Sequence, residues 1–517
     1  MVINLAFALL FLDPLVWLLK RTLHMYQLNS YQALSYSHWL RDNKNELLAP
    51  GRLLPLALMG FGGGLRNPLA ALVCMTAGAA LFRCANRAKP AKKPLVFTAR
   101  VKRQTVTAAI LTGLLAIFLS AMSRPALTVG LALWAALTPL WVLLVGLINK
   151  PIESAIADWY RRDAIRILKS NPDLRIIGIT GSYGKTSTKF FLKELLSVRY
   201  NTYMTPGNFN TTLGVIRTVR EGLLPTHEIF LCEMGARHLG DVKDICDLVE
   251  PDHGVLTYIG QQHMETFGSQ ENIIRAKREL SDAVHKKGGT VFVNNGSAIL
   301  AGEQFSGSTV RCGMDENCGY RTGNITIGPQ GCSFTVTAPD GQTGTFRTKL
   351  LGRANVENLT LAMAVAHQMG VPLKAMEAPV RMLKPVPHRL ELIPGPEITF
   401  IDDAYNSNPA GAAVALETLG FCTGIRVLVT PGLVELGDIE QEENKKIGLR
   451  AAENCDWAIL VDPRRGPDIK AGLLKAGFPA DRIVETADLN TGLAALRNIA
   501  PGMEKTALLL NDLTDNY

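Results

Sequence analysis

The chain has 517 residues, with 47% hydrophobic and 19% charged residues and a formal net charge of +8. The charge is concentrated: residues 1–150 hold 16 Lys or Arg against 3 Asp or Glu, which leaves the remainder slightly acidic. This length allows two or three domains, and because the basic residues sit beside apolar runs rather than across a soluble surface, the charge gives no reason to expect a nucleic-acid partner.

In chain order, the first elements read as helices in lipid. Residues 1–19 are apolar apart from Asp13 and read as a retained span, and 53–82, interrupted by Arg66, reads as one long span or a tight re-entrant pair. TVTAAILTGLLAIFLSAM (105–122) and LTVGLALWAALTPLWVLLVGLI (127–148) are joined by a short link and predict a hairpin, since a crossing helix needs roughly 20 apolar residues. About four spans are therefore expected within 1–150. Arg83 to Arg103 contains eight basic and no acidic residues, which predicts a cytoplasmic loop; the hairpin then returns the chain to the cytoplasm near Lys150. The expectation is a multi-pass cell-membrane protein whose later domains are cytoplasmic.

The rest of the chain alternates like an α/β protein. RIIGIT (175–180) is a β-branched run followed by a Gly-rich turn and KTSTKFFLKELLSV, whose apolar residues recur at helical spacing. IFLCE (229–233), VLTYI (255–259) and TVFV (290–293) predict further strands, with a helix across ENIIRAKRELSDAVHKK. Short Thr- and Gly-rich segments at 305–350 predict an antiparallel β insertion, and NVENLTLAMAVAHQMG (355–370) a helix. KPVPHR (384–389) reads as a hinge, after which the alternation restarts in a smaller α/β domain. The predicted organisation is 1–150 α-helical and transmembrane, 151–385 a central α/β domain, and 386–517 a C-terminal α/β domain. Nine cysteines without a CxxC pair give no reason to expect a zinc ribbon.

A Gly-rich turn between a strand and a helix aims backbone amides at a phosphate, and a following Lys and hydroxyl extend that cradle. Gly181, Ser182, Gly184, Lys185, Thr186 and Ser187 supply these parts, although the first Gly of the general P-loop pattern falls one place early, at Gly178. Glu233 ends an apolar strand, where an acid is otherwise out of place. Lys277 has no acid three or four positions away on its helix, so an intrahelical ion pair does not account for it, and a solvated charge is the plainer alternative. Asp402 and Asp403 could equally cap the helix that begins near Asn408.

GITGSYGKTSTK resembles the ATP loop of the Mur ligases, enzymes that add amino acids or peptides to bacterial cell-wall precursors. TPGNFNTTLGV (205–215), EMGARHLGDV (233–242), YIGQQHMETFGSQENIIRAKREL (258–280), GRANVENLTLAMAVA (352–366) and IDDAYNSNPAGAAVALETL (401–419) follow in the order of the D-alanyl-D-alanine-adding branch. The resemblance implies a P-loop central domain that uses ATP and Mg²⁺. Lys185 would hold the β and γ phosphates, while Thr186, Glu233, His263 and a carbamylated Lys277 would form the metal site. Asn355 and Asn358 would lie near the base, Arg389 and Asp403 would approach the nucleotide on closure, and Asn208, Asn210, Thr211, Tyr405, Asn406 and Asn408 would line the substrate cleft. Lys185, Glu233, His263 and Lys277 form the implied catalytic set.

Three stretches depart from that pattern. Apolar segments stand where the relatives carry a UDP-sugar-binding domain, TPGLVELGDIEQEENKKIG (430–448) replaces a Gly-Asp-Met form, and LLLNDLTDNY replaces a Lys-Gly-Ser-Arg turn. Position 354 is Ala where a His often stands. The implied function is an ATP-dependent amide ligase of cell-wall synthesis, nearest to UDP-N-acetylmuramoyl-tripeptide D-alanyl-D-alanine ligase. Its expected partners are a UDP- or lipid-linked carboxylate precursor, an amino acid or dipeptide donor, and membrane lipid. The alternatives are a ligase adding another amino acid or peptide to a lipid-linked precursor, a transporter, and a nucleotide-binding scaffold.

Overall fold

The computed structural model describes residues 2–86, 94–328, 330–405 and 407–511. The chain divides into two compact units, Met1–Trp159 and Tyr160–Leu513. Helix Thr138–Lys169 is continuous through that boundary.

The N-terminal unit is entirely helical among its described residues. The apolar run at the N-terminus forms two helices, Val2–Leu10 and Leu12–Leu28, rather than one. The 53–82 region resolves into the pair Pro50–Gly63 and Pro68–Ala85. Asn67 caps the second helix by accepting from Leu69 N at 2.9 Å, and Pro68 stands where no intrahelical donor is required. The segment expected over 127–148 breaks at Leu137 into Arg124–Ala136 and Thr138–Lys169, because Pro139 cannot donate to the ladder. Among the described residues three helices are long and apolar enough to cross a membrane: Pro68–Ala85, Ala99–Met122 and Thr138–Lys169. Phe7, Phe11, Leu56, Met59, Met75 and Phe82 form the main core of this unit.

The second unit is built on two sheets. In the first lie β1 (Arg175–Thr180), β2 (Thr202–Met204), β3 (Ile229–Glu233), β4 (His253–Leu256), β5 (Thr290–Asn294), β6 (Thr309–Gly313), β7 (Tyr320–Gly328), β8 (Gly331–Thr337) and β9 (Thr343–Thr348), in the order β2-β3-β1-β4-β5-β6-β7-β8-β9. β1 is parallel to both β3 and β4. Ile177 and Ile179 face one apolar layer, with Phe191, Leu195 and Leu359 of the covering helices, while Ile176 faces the other, with Val215, Ile245 and Leu280. Burial on both faces explains why the parallel strands read as continuous apolar runs.

The predicted 255–259 strand ends early, at Leu256, because the next residues turn to receive the phosphate loop: Ser182 N donates to Tyr258 O at 2.6 Å. The expected β insertion is not a separate body. β6 pairs with β5, and the antiparallel strands β7 to β9 continue the same sheet.

The smaller sheet contains β10 (Glu391–Ile393), β11 (Ile398–Asp403), β12 (Ile425–Thr430), β13 (Trp457–Leu460), β14 (Ile483–Glu485) and β15 (Lys505–Leu510), in the order β10-β11-β15-β12-β13-β14. All its pairings are parallel except β10 with β11. Both sheets therefore present C-terminal strand ends and the loops beyond them, where open α/β sheets bind ligands.

Candidate active site

The loop after β1 is shaped by two glycines. Gly181 (φ +152°) and Gly184 (φ +81°) both lie in the region that disfavours side chains, and a Cβ would come within 2.1 Å of Thr257 Oγ1 at the first and 2.5 Å of Asn358 Oδ1 at the second. Helix Lys185–Leu196 starts immediately after, so its free N–H groups face the loop. Lys185 Nζ donates to Gly181 O at 2.6 Å, and Ser182 Oγ donates to Gly260 O at 2.9 Å. Burial pushes the Lys185 ammonium down to about 8, Glu233 opposes that shift and Arg389 adds to it. Ser187 is buried in the first turn of the same helix.

Glu233, at the end of β3, is fully buried and held by three side-chain contacts. Oε1 accepts from Thr186 Oγ1 at 3.2 Å and from Asn210 Nδ2 at 3.0 Å; Oε2 receives Lys189 Nζ at 2.9 Å. Lys189 also donates to Gly207 O at 2.6 Å, so one ammonium ties the strand end to the loop carrying Asn208 and Asn210. The positive charge of Lys185 acts on the same carboxylate from further off. Burial raises the Glu233 carboxyl, but Lys189, Lys185 and the hydrogen bonds outweigh it and hold the group below its ordinary value, hence ionised.

Lys277 is 2% exposed, on the inward face of helix Gln270–Lys286 with Ile273, Ala276 and Leu280, and among the described residues it is paired with no carboxylate. Burial, with the positive Lys185 next in weight, pushes its amine well below the usual lysine range. The solvated-charge alternative is thereby removed. His263 lies within electrostatic reach of Lys277 and is itself lowered by burial, against the raising effect of Glu435. Glu233, Lys185, Lys277 and His263 thus act on one another in series. A hydroxyl and a carboxylate at such a place suit a hard divalent cation, with the imidazole a softer additional donor.

The smaller domain closes one side of this site. Asn408 Nδ2 donates to Ser182 O at 3.1 Å, and Asn208 is hydrogen-bonded to Tyr405. Arg389 stacks over the Tyr405 ring at 4.3 Å, while Leu390 N donates to Asp403 Oδ1 at 3.2 Å. Burial raises Asp403 to about 6, with Arg389 pulling the other way. Beside the loop lies a cavity of about 700 Å³ lined by Tyr183, Tyr258, Asn294, Arg353, Glu357 and Asn358, among others.

Some expected residues take other positions. Asn355 is buried and donates to Leu351 O at 2.8 Å, and it does not line the cavity. Thr211 caps helix Thr212–Gly222 by accepting from Gly214 N at 3.2 Å, and Asn408 likewise accepts from Gly411 N. Asn406 lies outside the described residues. Asp402 is bonded to His388 Nδ1 at 2.7 Å, and with Glu391 these form a group of metal-compatible side chains at the hinge; all nine cysteines are free thiols.

Sequence reasoning missed Lys189 and Glu435. The only signal for Lys189 was its position one helical turn after Lys185, on the same face. Glu435 stands in a Gly-rich turn beyond a strand's C-terminal end, a place where functional groups gather.

Fold and site together define a two-lobed α/β enzyme with a phosphate loop at the end of its first strand. The sequence profile of the Mur ligase middle domain matches residues 179–366, and that of the Mur ligase, glutamate ligase domain matches residues 388–510. The UDP-N-acetylmuramoyl-tripeptide–D-alanyl-D-alanine ligase of Bacillus subtilis (strain 168) is 30% identical over 329 residues, covering 63% of this chain and 70% of that protein. The enzyme of the same name from Mycobacterium bovis is 33% identical over 359 residues, covering 64% and 69%. MurF from Acinetobacter baumannii matches in structure with a TM-score of 0.62 at 26% identity, over 69% of this chain and 78% of that one. The chain belongs to the Mur ligase family. It is an ATP-dependent ligase that joins an acid to an amino group.

Proposed function

We propose that this protein is a membrane-anchored Mur ligase that activates a peptide carboxylate of a cell-wall precursor with ATP and joins it to an amine donor, D-alanyl-D-alanine being the nearest named donor. The observation that carries this reading is the series Glu233, Lys185, Lys277 and His263 beside the phosphate loop, of which Glu233 and Lys277 are buried and Lys185 and His263 partly buried. The loop from Gly181 to Ser187 cradles the phosphates, with Lys185 on the terminal pair. Thr186, Glu233, His263 and Lys277 would hold Mg²⁺, Lys277 as its carbamate, a modification favoured where burial disfavours the charged form of the amine. When bound, Mg²⁺ supplies neutralisation of the charge on the transferring phosphoryl group.

The substrate carboxylate attacks the γ phosphorus, ADP departs, and an acyl phosphate remains. The donor amine then attacks the acyl carbon, loses a proton and expels phosphate as the amide forms. No covalent enzyme nucleophile is needed, but water must be excluded, and the contacts Asn208 to Tyr405 and Ser182 to Asn408 close the cleft. Asn358 with the cavity beside it takes the base end of the nucleotide, and Arg389 and Asp403 meet it from the smaller domain. Asn210 presents its loop to the precursor from a position fixed by Glu233.

A second reading, in which the precursor is lipid-linked, is favoured by the three helices long and apolar enough to cross a membrane. Holding enzyme and precursor in one sheet raises their effective concentration without a tight sugar site. The deciding experiment offers the full chain, in nanodiscs with ATP and Mg²⁺, UDP-linked tripeptide or lipid-linked precursor, with D-alanyl-D-alanine or single amino acids, and reads products by mass spectrometry. A new amide on the UDP substrate supports the first reading, and product on the lipid-linked form alone supports the second. A nucleotide-binding scaffold would make neither product and would tolerate Lys277→Ala.

A further inference from the structure

The metal-ligand role proposed for His263 leaves open what holds its ring. His263 Nδ1 is hydrogen-bonded to Glu435 Oε2, and both side chains are nearly buried, 12% and 13% exposed. The other Glu435 oxygen receives Arg237 Nη2 at 3.2 Å. His263 and Arg237 belong to the larger domain, on the loops after β4 and β3. Glu435 belongs to the smaller one, in the loop between β12 and the turn Gly437–Ile439.

The backbone is adapted to this meeting. His263 (φ +53°) and Glu435 (φ +62°) are both non-glycine residues in the left-handed region, a conformation that persists only where surroundings enforce it. Met264 to Phe267 forms a short turn of helix on His263, whose carbonyl accepts from Thr266 N and Phe267 N at 3.0 Å. Gly437, itself at φ +57°, lies against that turn, where a Cβ would make ordinary contact with Glu265 Cα at 3.6 Å.

We infer that Glu435 is a positioning residue for the metal site, supplied by the smaller domain, so that His263 is oriented for coordination only when the two domains are closed. The inference rests on the reading of His263 as a ligand. A carboxylate can only accept, so Nδ1 carries the proton and the lone pair is left on Nε2, the atom available to a cation. Histidine ligands are commonly fixed in this way by a carboxylate beyond the metal. What is particular here is that the carboxylate comes from the other lobe. By linkage, closure then tightens metal binding and metal binding favours closure to the same extent. Arg237 completes the arrangement by holding the carboxylate's second oxygen.

The test uses the full chain in detergent with ADP and Mn²⁺ as the probe. Free Mn²⁺ is read by electron paramagnetic resonance, and closure by the distance between spin labels placed on exposed residues of the two lobes. Glu435→Ala is expected to weaken Mn²⁺ binding by about 10- to 100-fold, the scale for lost outer partners of a ligand. It should also broaden the distance distribution, and any loss of metal-free ADP binding should be smaller than the loss of Mn²⁺ binding. Glu435→Gln keeps the volume and guards against misfolding, and it should fall between wild type and Ala. The double variant His263→Ala/Glu435→Ala should bind no more weakly than His263→Ala alone. If His263→Ala weakens Mn²⁺ binding while both Glu435 variants bind normally, the inference is overturned and the ligand reading stands. Unchanged Mn²⁺ binding in His263→Ala would overturn both.

Discussion

Helices Ala99–Met122 and Arg353–Gln368 are both apolar for most of their length, yet they are folded into opposite surroundings. The first buries only Val101, Gln104 and Ala108 of its 24 residues and turns Leu114, Ile117 and Phe118 outward, 60 to 70% exposed. The second buries twelve of its 16, between the phosphate-loop helix and the strands from β5 to β8. Apolar composition alone therefore does not say which environment a helix meets. Length and neighbours do: one is long enough to cross a bilayer, and the other has a sheet to cover and a phosphate loop to support. The contrast extends to charge, because among the described residues only the ligase unit encloses an ionised carboxylate and a lysine, Glu233 and Lys189, with neither side chain more than 1% exposed.

Breaking that enclosed pair gives the largest expected effect. Glu233→Ala strands Lys189 without its carboxylate, and losing one member of a buried pair costs about 3–5 kcal/mol. Thermal unfolding in detergent should show the drop, and product formation should be lost. Because Lys189 also fixes Gly207 O, Lys189→Met should disturb the Asn208 and Asn210 loop even where folding is retained. Next in size, Leu359→Ala removes a fully buried side chain from the second helix of the comparison, and such truncations cost about 2–5 kcal/mol. The expected readout is a lower midpoint of unfolding for the ligase unit, with the N-terminal unit unaffected.

The alternation of the two α/β domains was legible from runs and spacing, and several groups of the candidate site stood out by their positions. Gly181 and Gly184 stand where φ is positive, Glu233 was conspicuous as an acid ending an apolar strand, and Lys277 as a lysine without a helical partner. What stayed hidden depends on distant partners. Lys189 lies in a polar-looking KTSTK segment, and only the Glu233 carboxylate, 44 residues on, distinguishes it from a solvated charge. Glu435 meets His263 across 172 residues. The capping of a helix by Thr211 was not read from the sequence, and strand β4 was placed late because VLTYI is apolar beyond the point where pairing stops.

A smaller effect follows from Asp403, whose burial holds its carboxyl at about 6 against an ordinary 3.8. The folded state therefore keeps a proton that the unfolded chain has released between these values. Stability from this group is present below the unfolded value and is lost as pH rises through about 6. Asp403→Asn has no charge to bury, so its unfolding midpoint should exceed that of wild type at pH 7 to 8 and converge with it near pH 4. Nucleotide affinity should fall in the same variant, which separates the stability cost of this carboxylate from its use. A wild-type midpoint above that of Asp403→Asn at pH 7 to 8 would mean instead that the fold holds Asp403 below its ordinary value, and that Arg389 outweighs burial.

The smallest effect is the one that sharpens the comparison of the two helices. Ile117→Ala removes as much apolar volume as many core truncations, but its side chain is 70% exposed in the fold, so no protein cavity opens beneath it. Substitutions at such positions shift stability by about 0.5 kcal/mol or less, against several times that at Leu359. The measurement is unfolding of both variants in the same detergent, alongside the fraction of each retained in membranes after expression. A large destabilisation by Ile117→Ala would mean that this face is covered by protein, a second copy or another chain, rather than by lipid, because only a packed neighbour can register the loss of those methyl groups as a cavity.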